Sequence, residues 1–270
     1  MATLKKANIS KLWHSAPHDL ASRLERCIAE SLGQESAQTP AHIFFRADDI
    51  GVPGKQFKQL IDLFKHYQAP LSLAVVPAWL TPMRWSALMK NCRDTSSLWC
   101  WHQHGWRHKN HEKHLKKQEF GPSRSTAEIE SDIIRGRKRL GSLMKAHFYP
   151  VFTAPWNRCS GETLELLKNL GYRAVSRYQG ARPISPKGMP DIPVNVDLHT
   201  RKETRSEDGW KNLFAELGAG LSSGFCGIMI HHQRMNDAAF VFLDSLLGHL
   251  MQADGCRIMG MQALVKITND

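Results

Sequence analysis

Apolar positions follow two spacings that alternate along most of this chain. Short apolar runs such as AHIFFRADD (41–49) and APLSLAVVP (69–77) are typical of buried strands. Between these runs, apolar residues recur at the spacing of one helix face, as in Phe57, Leu60, Ile61 and Phe64. Strand and helix patterns alternate about seven times from residue 41 onwards, which predicts a parallel α/β fold.

The same two spacings place the remaining elements. Strands are predicted in SSLWCWH (96–102), AHFYPVFTAP (146–155), YRAVSRY (172–178), MPDIPVNVDL (189–198) and GFCGIMIHH (224–232). Helices are predicted in TPMRWSALMKN (81–91), after the capping-box pair Ser125 and Glu128, from Ser160 to Leu170, and after Asn236. A last strand and helix are predicted in CRIMGMQALVKI (256–267).

Residues 1–40 differ in character from the rest of the chain. Leu20, Leu24 and Ile28 fall at helical spacing, which predicts one amphipathic helix. The polar stretch SLGQESAQTP (31–40) is typical of a linker. We therefore expect an N-terminal helical extension and linker over 1–40 and an α/β domain over 41–270. The extension is expected either to cover the bottom of that domain or to form a partner surface.

Composition narrows the class of protein. Of the 270 residues, 42% are hydrophobic, which is enough for a large buried core. No apolar run approaches the roughly 18 residues of a transmembrane helix, and the N-terminal sequence does not resemble a signal peptide. The six cysteines form no CxxC pair, so we expect reduced thiols in a cytoplasmic protein.

The chain is strongly basic, with a net charge of +11. Part of the excess lies in RHKNHEKHLKK (107–117) and in GRKR (136–139). Positive charge raises the local concentration of anionic partners, such as an anionic glycan or a phospholipid-linked sugar. Nucleic acid fits by charge alone, and no recognition motif accompanies the charge, so specific nucleic-acid binding is not expected. A solvated surface is the alternative interpretation of each basic segment.

Polar side chains follow several predicted strands at the point where each strand ends. They are Asp48, Asp49, His102, His104, residues 153–158, Asp197, His231 and His232. In a β/α barrel the carboxyl ends of the strands form the rim that carries the chemistry. No G-x-G-x-x-G or phosphate-binding loop follows any strand, which argues against a nucleotide-binding fold. The sequence therefore predicts a site built from aspartate and histidine.

The aspartate pair after the first strand and the two histidines after the third strand are side chains of the types that bind a metal. Adjacent strand residues face different ways, so one of Asp48 and Asp49 can enter a site while the other holds a metal from the side. His104 and His108 are four residues apart, which on a helical turn places both imidazoles on one face. Two imidazoles and a carboxylate bind a metal and leave positions open for water and substrate. The alternatives are turn-forming aspartates and a chance spacing in a chain with 14 histidines.

The polar and aromatic residues after the later strands each have two interpretations, one functional and one structural. Trp156, between Pro155 and Asn157, either forms one wall of a sugar-sized pocket or packs in the core beside a turn. His231 and His232 close an apolar strand, where one can donate a proton and the other can be structural. The alternative is that both histidines are structural residues, hydrogen-bonded at the end of a strand.

Taken in order, these groups resemble the motifs of the polysaccharide deacetylase family, the NodB-homology carbohydrate esterases. An Asp-Asp pair, His-x-x-x-His, an aromatic-proline motif, an Asp-bearing strand and a late histidine follow one another between residues 42 and 232. HGWRH followed by EFG (119–121), with APWNR and IHH, is similar to a divergent branch of that family. The resemblance implies a distorted (β/α)7 barrel and metal-dependent hydrolysis of an acetyl group, N-acetyl in preference to O-acetyl.

The resemblance also implies roles for individual residues. One divalent ion, with zinc preferred over cobalt, nickel, manganese or iron, would be held by Asp49, His104 and His108. Asp48 would be the general base, and His231, with His232 as the fallback, would protonate the leaving amine. The site would be ordered, or the substrate contacted, by Pro155, Trp156, Asn157, Arg158 and Asp197.

The chain departs from the family pattern in two motifs. Arg46 and Ala47 precede the aspartates where the family has threonine and phenylalanine, and Thr153 stands where the third motif has arginine. In the family, that arginine pairs with the catalytic aspartate. Arg46 lies two residues before Asp48 and so on the same side of a strand, and we expect Arg46, or else Arg158, to supply the missing charge.

The leading prediction is a cytoplasmic, metal-dependent deacetylase of an acetylated sugar or glycan precursor. The substrate is soluble or lipid-linked, and it is anionic if the basic segment 107–117 attracts it. A hydrolase of small non-sugar amides on the same site is one alternative. A catalytically degenerate glycan-binding protein is the other, because Thr153 replaces the family arginine.

Overall fold

The structure is a computed structural model that describes residues 9–32 and 39–268. Its strands are β1 (Ala41–Ile50), β2 (Leu71–Val75), β3 (Trp99–His104), β4 (Phe148–Thr153), β5 (Ala174–Ser176), β6 (Val196–Asp197), β7 (Phe225–Ile230) and β8 (Cys256–Ile258). Its helices are α1 (Leu20–Ser31), α2 (Lys55–His66), α3 (Pro82–Met89), α4 (Thr126–Met144), α5 (Gly161–Asn169), α6 (Ser206–Ser222), α7 (Asp237–Gln252) and α8 (Met261–Ile267). The fold class is the predicted one, an α/β fold of the distorted (β/α)7 barrel type.

The chain divides into two compact units. The first unit contains the described residues up to Ile43, together with Gly54–Ala69 and Asn195–Ile258. The second unit contains Phe44–Pro53, Pro70–Val194 and the described chain from Met259 onwards. Strand β1 contributes its first three residues to the first unit and the rest to the second.

Parallel strands build the second unit. Each neighbouring pair from β1 to β5 is hydrogen-bonded in parallel. His104 lies opposite Thr153, and Thr153 lies opposite Ser176. These three residues therefore form one row across the carboxyl ends of β3, β4 and β5, where the polar residues were predicted to meet.

Helix ends in both units follow the signals in the sequence. The Ser125–Glu128 capping box begins α4, with both of its reciprocal hydrogen bonds formed. Ser160 caps α5 by accepting from the Thr163 amide, and Asn236 caps α7 by accepting from the Ala239 amide. These helix predictions are therefore confirmed at their first residues.

The first unit is built around β6, β7 and β8. Strands β6 and β7 pair in parallel, and β8 pairs with the first three residues of β1. Helix α1 packs on α6 and α7, as its amphipathic spacing predicts. The N-terminal boundary at residue 40 stays a prediction, and most of the predicted linker lies outside the described residues.

The N-terminal segment contacts the loops that follow β6 and β7. Trp13 lies in a short 3-10 helix (Lys11–His14), and its Nε1 donates to the Leu198 carbonyl. The Trp13 carbonyl accepts from Asn236 Nδ2. Both partners follow the carboxyl ends of strands of the first unit.

Strand β6 is much shorter than predicted. Of the predicted strand over 189–198, only Val196–Asp197 is extended and paired as a strand. Pro190 and Pro193 interrupt the stretch, because proline has no amide hydrogen to donate to a neighbouring strand.

Helix α6 was not predicted from the pattern. Its buried residues Trp210, Leu213, Leu217 and Leu221 do recur at helical spacing. Three glycines inside the helix, at 209, 218 and 220, lower its intrinsic helix preference. Packing against α1, β6 and β7 therefore stabilises a segment that its own residues specify weakly.

No helix among the described residues has the length and apolar character needed to cross a membrane.

Candidate metal centre

Asp48 and Asp49 lie in an irregularity of strand β1. Residues 47–50 of β1 pair with only 73–75 of β2, so β1 carries one extra residue at this point. This is a β-bulge, and Asp49 within it has a left-handed backbone with φ of 61°. A bulge interrupts the alternation of side chains along a strand, which lets two adjacent aspartates take part in one site.

Arg46 and Asp48 form a buried ion pair with two hydrogen bonds. Arg46 Nε donates to Asp48 Oδ1 and Nη2 donates to Oδ2, both at 2.8 Å. The same guanidinium donates to Ser176 Oγ and to Asn157 Oδ1, each at 2.7 Å. The positive charge beside Asp48 is therefore on Arg46. Arg158, the alternative, donates to the Lys117 carbonyl instead.

Asp49, His104 and His108 converge on one point. His104 Nε2 lies 3.4 Å and His108 Nε2 3.2 Å from Asp49 Oδ1, and one potential ligand atom of each residue lies within 4.8 Å of the others. The side chain of His104 is buried, whereas those of His108 and Asp49 remain 16% and 22% exposed. Two imidazoles and a carboxylate with one open side are a suitable ligand set for a divalent ion such as Zn²⁺.

The orientation of the His104 ring is fixed by a hydrogen bond at the nitrogen that does not face Asp49. Its Nδ1 lies 3.0 Å from the Thr153 carbonyl, so Nδ1 carries the proton and Nε2 faces Asp49. Burial lowers the pKa of His104, but the hydrogen bond to Asp49 and the charges of Asp48 and Asp49 outweigh it and raise that pKa overall. Positive charge is favoured at this point, which suits a cation.

The segment between the two histidines is not helical, so the predicted helical turn is wrong. His104 ends β3, and Gly105 and His108 both have left-handed backbones, with φ of 58° and 56°. A side chain at Gly105 would have its Cβ 2.5 Å from Pro155 Cγ. The glycine is therefore required by both its backbone conformation and the close approach of Pro155. The imidazoles meet because the loop folds back, not because they share a helix face.

Glu119 holds this loop in place. Its carboxylate accepts hydrogen bonds from the backbone amides of Trp106, Arg107 and His108, at 3.1, 2.7 and 3.2 Å. The side chain is fully buried, and burial raises the pKa of Glu119 against the lowering effect of the Arg107 and Trp106 amides. In the sequence, Glu119 is marked only by its place in the EFG stretch (119–121). The clue in the sequence was a single acidic residue before Phe120, separated from the basic segment 107–117 by one glutamine.

The aromatic-proline motif lies against His108, one of the three candidate metal ligands. The Trp156 ring centroid is 4.3 Å from that of His108, and the Trp79 ring centroid is 6.0 Å from it. Trp156 and Asn157 both have left-handed backbones, which asparagine adopts readily and a bulky residue such as tryptophan only rarely. Such conformations concentrate where a site requires them. Here they bring Trp156 to His108 and Asn157 to Arg46.

Thr153, which stands where the family has arginine, makes hydrogen bonds to two histidines. Its hydroxyl lies 2.8 Å from His102 Nε2, and its carbonyl orients His104. His102 is fully buried, and burial lowers its pKa to about 3, so the ring is neutral. Thr153 thus connects two histidines of β3, while the guanidinium of Arg46 is the cation that pairs with Asp48.

The remaining predicted residues lie in the first unit. The Asp197 carboxylate accepts from the amides of His199 and Thr200 at 2.9 and 2.8 Å, so it shapes the turn after β6. His231 follows β7, and its amide donates to His199 Nδ1 at 3.1 Å. The His232 ring packs edge-on against Phe57, with centroids 5.8 Å apart.

Fold and site together define a (β/α) barrel with an aspartate and two histidines where its strands end, a set of side chains suited to a metal ion. A sequence model of the polysaccharide deacetylase family matches residues 37–175, just over half of the chain. The chain therefore belongs to the polysaccharide deacetylase family. A search among curated proteins finds no match.

Solved structures have the same fold at low sequence identity. A Mycobacterium smegmatis protein assigned to the polysaccharide deacetylases is 13% identical, with a TM-score of 0.65 over 85% of this chain and 90% of that chain. The Xyl-CE4 domain of a xylanase from the hindgut metagenome of Trinervitermes trinervoides is 11% identical, with a TM-score of 0.57 over 85% and 91%. A Bacillus anthracis pseudoenzyme of carbohydrate esterase family 4 is 12% identical, with a TM-score of 0.55 over 85% and 66%.

Proposed function

We propose that this chain is a metal-dependent hydrolase that removes an acetyl group, N-acetyl in preference to O-acetyl, from a sugar or glycan precursor. The observation that carries the proposal is the convergence of Asp49, His104 and His108 beside the Arg46–Asp48 ion pair. These are a ligand set and a positioned carboxylate, which hydrolysis of an acetamide requires.

Asp49, His104 and His108 would hold one divalent ion, zinc in preference to cobalt, nickel, manganese or iron. When bound, the ion supplies a Lewis acid that polarises the acetyl carbonyl and makes water more acidic. Its ligand geometry depends on Thr153, which orients His104, and on Glu119, which holds the His108 loop.

Asp48 would act as the general base. Arg46 donates one hydrogen bond to each Asp48 oxygen, and the ionised carboxylate would take the proton of the attacking water. Because Ser176 and Asn157 also accept hydrogen bonds from Arg46, the guanidinium is held in one orientation. The base is therefore fixed in position before substrate binds.

His231 would act as the general acid and protonate the departing amine, which is otherwise a poor leaving group. His232 is the fallback, but it is more deeply buried than His231 and its ring packs on Phe57. Trp156 and Pro155 would form a wall for the sugar ring, because an aromatic face suits an apolar sugar face.

The proposed substrate is a soluble or lipid-linked sugar precursor in the cytoplasm. The six cysteines are reduced, and four of them are buried, which fits a reducing compartment. The exposed lysines of segment 107–117 follow His108 directly and favour an anionic substrate.

The test is acetate release from chitooligosaccharides, nucleotide-linked N-acetyl sugars and a small acetamide. Asp48→Asn and His231→Asn are each expected to lower kcat by about 10²- to 10⁴-fold, as the loss of a general base or acid does. Asp62→Asn, an exposed aspartate on α2, is the matched control and should behave as wild type. Acetate from the small amide alone would favour the non-sugar hydrolase instead.

A degenerate glycan-binding protein is the second candidate, favoured by Thr153 at the arginine position and by a pseudoenzyme among the similar folds. The Arg46–Asp48 pair argues against it, because the cation is retained on another residue. Metal-loaded protein that binds chitooligosaccharide and releases no acetate from any substrate would support this candidate.

A further inference from the structure

We propose that His199 and Trp13 are positioning residues for His231, and that the N-terminal extension thereby contributes to the site. The proposal rests on the acid role of His231 given above. Neither residue is part of a predicted motif. All of the contacts that carry the proposal lie within the first unit.

His199 holds the backbone of His231. The His231 amide donates to His199 Nδ1 at 3.1 Å, and the His199 side chain is buried. A ring nitrogen that accepts a hydrogen bond carries no proton, so the proton of His199 is on Nε2. Burial, then the nearby His231 and His232, keep the pKa of His199 well below its usual value, so the ring remains a neutral acceptor.

The other nitrogen of His199 has no comparable role. Buried Nε2 has no hydrogen-bond partner among the residues that the structure describes. A buried donor without a partner costs free energy, so an apolar residue would suit the position better if packing were its only function. The acceptor at Nδ1 is the feature that a histidine provides here and an apolar residue cannot.

Trp13 holds the loop that carries His199. Its indole Nε1 donates to the Leu198 carbonyl at 3.0 Å, and its ring lies 5.6 Å from the His199 ring at an interplanar angle of 33°. On the other side, the Trp13 carbonyl accepts from Asn236 Nδ2 at 2.9 Å, and Asn236 caps α7 just after the His231 loop. One residue of the extension therefore connects the loops that follow β6 and β7.

The ring of Trp13 is also fixed by its own packing. It is 2% exposed and lies 5.4 Å, between centroids, from both Trp210 of α6 and Phe242 of α7. Trp210 Nε1 in turn donates to the Ser15 carbonyl at 2.9 Å. Ser206 Oγ donates to the Leu12 carbonyl at 3.2 Å, so the extension is attached on both sides of Trp13 and its contact with the His199 loop is fixed.

The test uses two amide substitutions at position 199 in the full chain. Asparagine places its oxygen close to the position of Nδ1, whereas glutamine places its oxygen close to that of Nε2. His199→Asn therefore keeps the acceptor for the His231 amide, and His199→Gln removes it. Trp13→Phe keeps an aromatic ring and removes only the donor to Leu198.

The first readout is amide hydrogen exchange at His231, followed by NMR, which does not depend on activity. We expect exchange in His199→Gln to be about tenfold faster or more, with His199→Asn close to wild type and Trp13→Phe between them. Equal exchange in wild type and His199→Gln, or equal acceleration in His199→Asn and His199→Gln, overturns the proposal.

The second readout is acetate release, with zinc affinity as a control. His199→Gln should lower kcat by about tenfold with little change in KM, and His199→Asn should restore most of it. Zinc affinity should not change, because none of the proposed metal ligands is altered. An active wild type with unchanged kcat in His199→Gln overturns this proposal alone, whereas a wild type that releases no acetate overturns the proposed function and this role with it.

Discussion

Arg46 and Asp48, two residues apart on one strand, bind each other through both carboxylate oxygens at 2.8 Å. Side-chain exposure is 0% for Arg46 and 4% for Asp48, so neither charge has bulk water as an alternative partner. In this chain the cation beside the proposed base therefore comes from the same strand as that base, rather than from a motif distant in sequence.

Arg46→Gln is the first prediction. Removal of one partner of a buried ion pair leaves the other charge uncompensated, so we expect a loss of about 3–5 kcal/mol in the free energy of unfolding. Acetate release should fall with it, because Asp48 loses its fixed orientation. The measurements are urea unfolding and kcat on the purified variant.

A double-mutant cycle separates the two effects of Arg46. Arg46→Gln combined with Asp48→Asn removes both charges, so much of the lost stability should return while activity stays absent. Unchanged stability and unchanged kcat in Arg46→Gln alone would show that the ion pair has neither role.

Glu119→Gln should weaken metal binding. Its three amide bonds hold the loop of His108, and loss of a group that orients a ligand lowers metal affinity by about 10–100-fold. Glu112→Gln is the matched control, a second buried glutamate whose carboxylate accepts from Ser123. Calorimetric titration with zinc is the measurement, and equal affinities in the two variants would contradict the prediction.

The stability of the chain should fall in acid partly because of His102. Its pKa is lowered by burial to about 3 from an ordinary value of 6.5, so between these values the unfolded chain binds a proton that the folded chain does not. Stability therefore rises with pH across this window, by at most about 1.4 kcal/mol per pH unit for one such group.

His102→Gln isolates this contribution. Glutamine can retain the hydrogen bond to the Thr153 hydroxyl and does not titrate, so the variant should lose stability less steeply below pH 6.5. His199 is present in both proteins, and its effect cancels in the comparison. Identical slopes in urea unfolding series at several pH values would contradict the assignment.

Salt should affect anionic substrates selectively. Lys113, Lys116 and Lys117 are exposed on the segment that follows His108. We expect the KM of a nucleotide-linked N-acetyl sugar to rise between about 0.05 and 0.5 M salt, because the Debye length shortens, while that of a neutral chitooligosaccharide stays constant.

Replacement of the three lysines by glutamine should remove this salt dependence. Lys138→Gln, an exposed lysine of the other basic segment, is the control and should retain it. A salt dependence that persists in the triple variant would assign the effect to other charges.

Much of the strand and helix pattern was predictable because burial imposes it on each segment separately. The apolar run at 41–49 and the capping box at Ser125 specify their own structure. The bulge at Asp48 and Asp49 and the folded-back loop of His108 were not predictable in this way. They depend on pairing with β2 and on a buried carboxylate 11 residues beyond His108, and single-segment patterns do not contain such contacts.

The types of residue in the candidate site could be predicted from the sequence more readily than the way in which those residues contact each other. Aspartates and histidines at strand ends indicated Asp49, His104 and His108 as candidate metal ligands. Strand alternation placed Arg46 on the same side as Asp48. Glu119 and His199 were missed because each acts on the backbone of another residue. Such contacts leave no periodic trace in a sequence.

The most direct measurement is metal content by elemental analysis of wild type beside the variant with His104→Ala and His108→Ala, with acetate release assayed on the same samples. The account predicts one tightly held divalent ion and acetate release in wild type, with both lost in the variant. No bound metal in wild type after reconstitution with zinc, cobalt, nickel, manganese and iron would contradict it, and so would equal metal content in the two proteins.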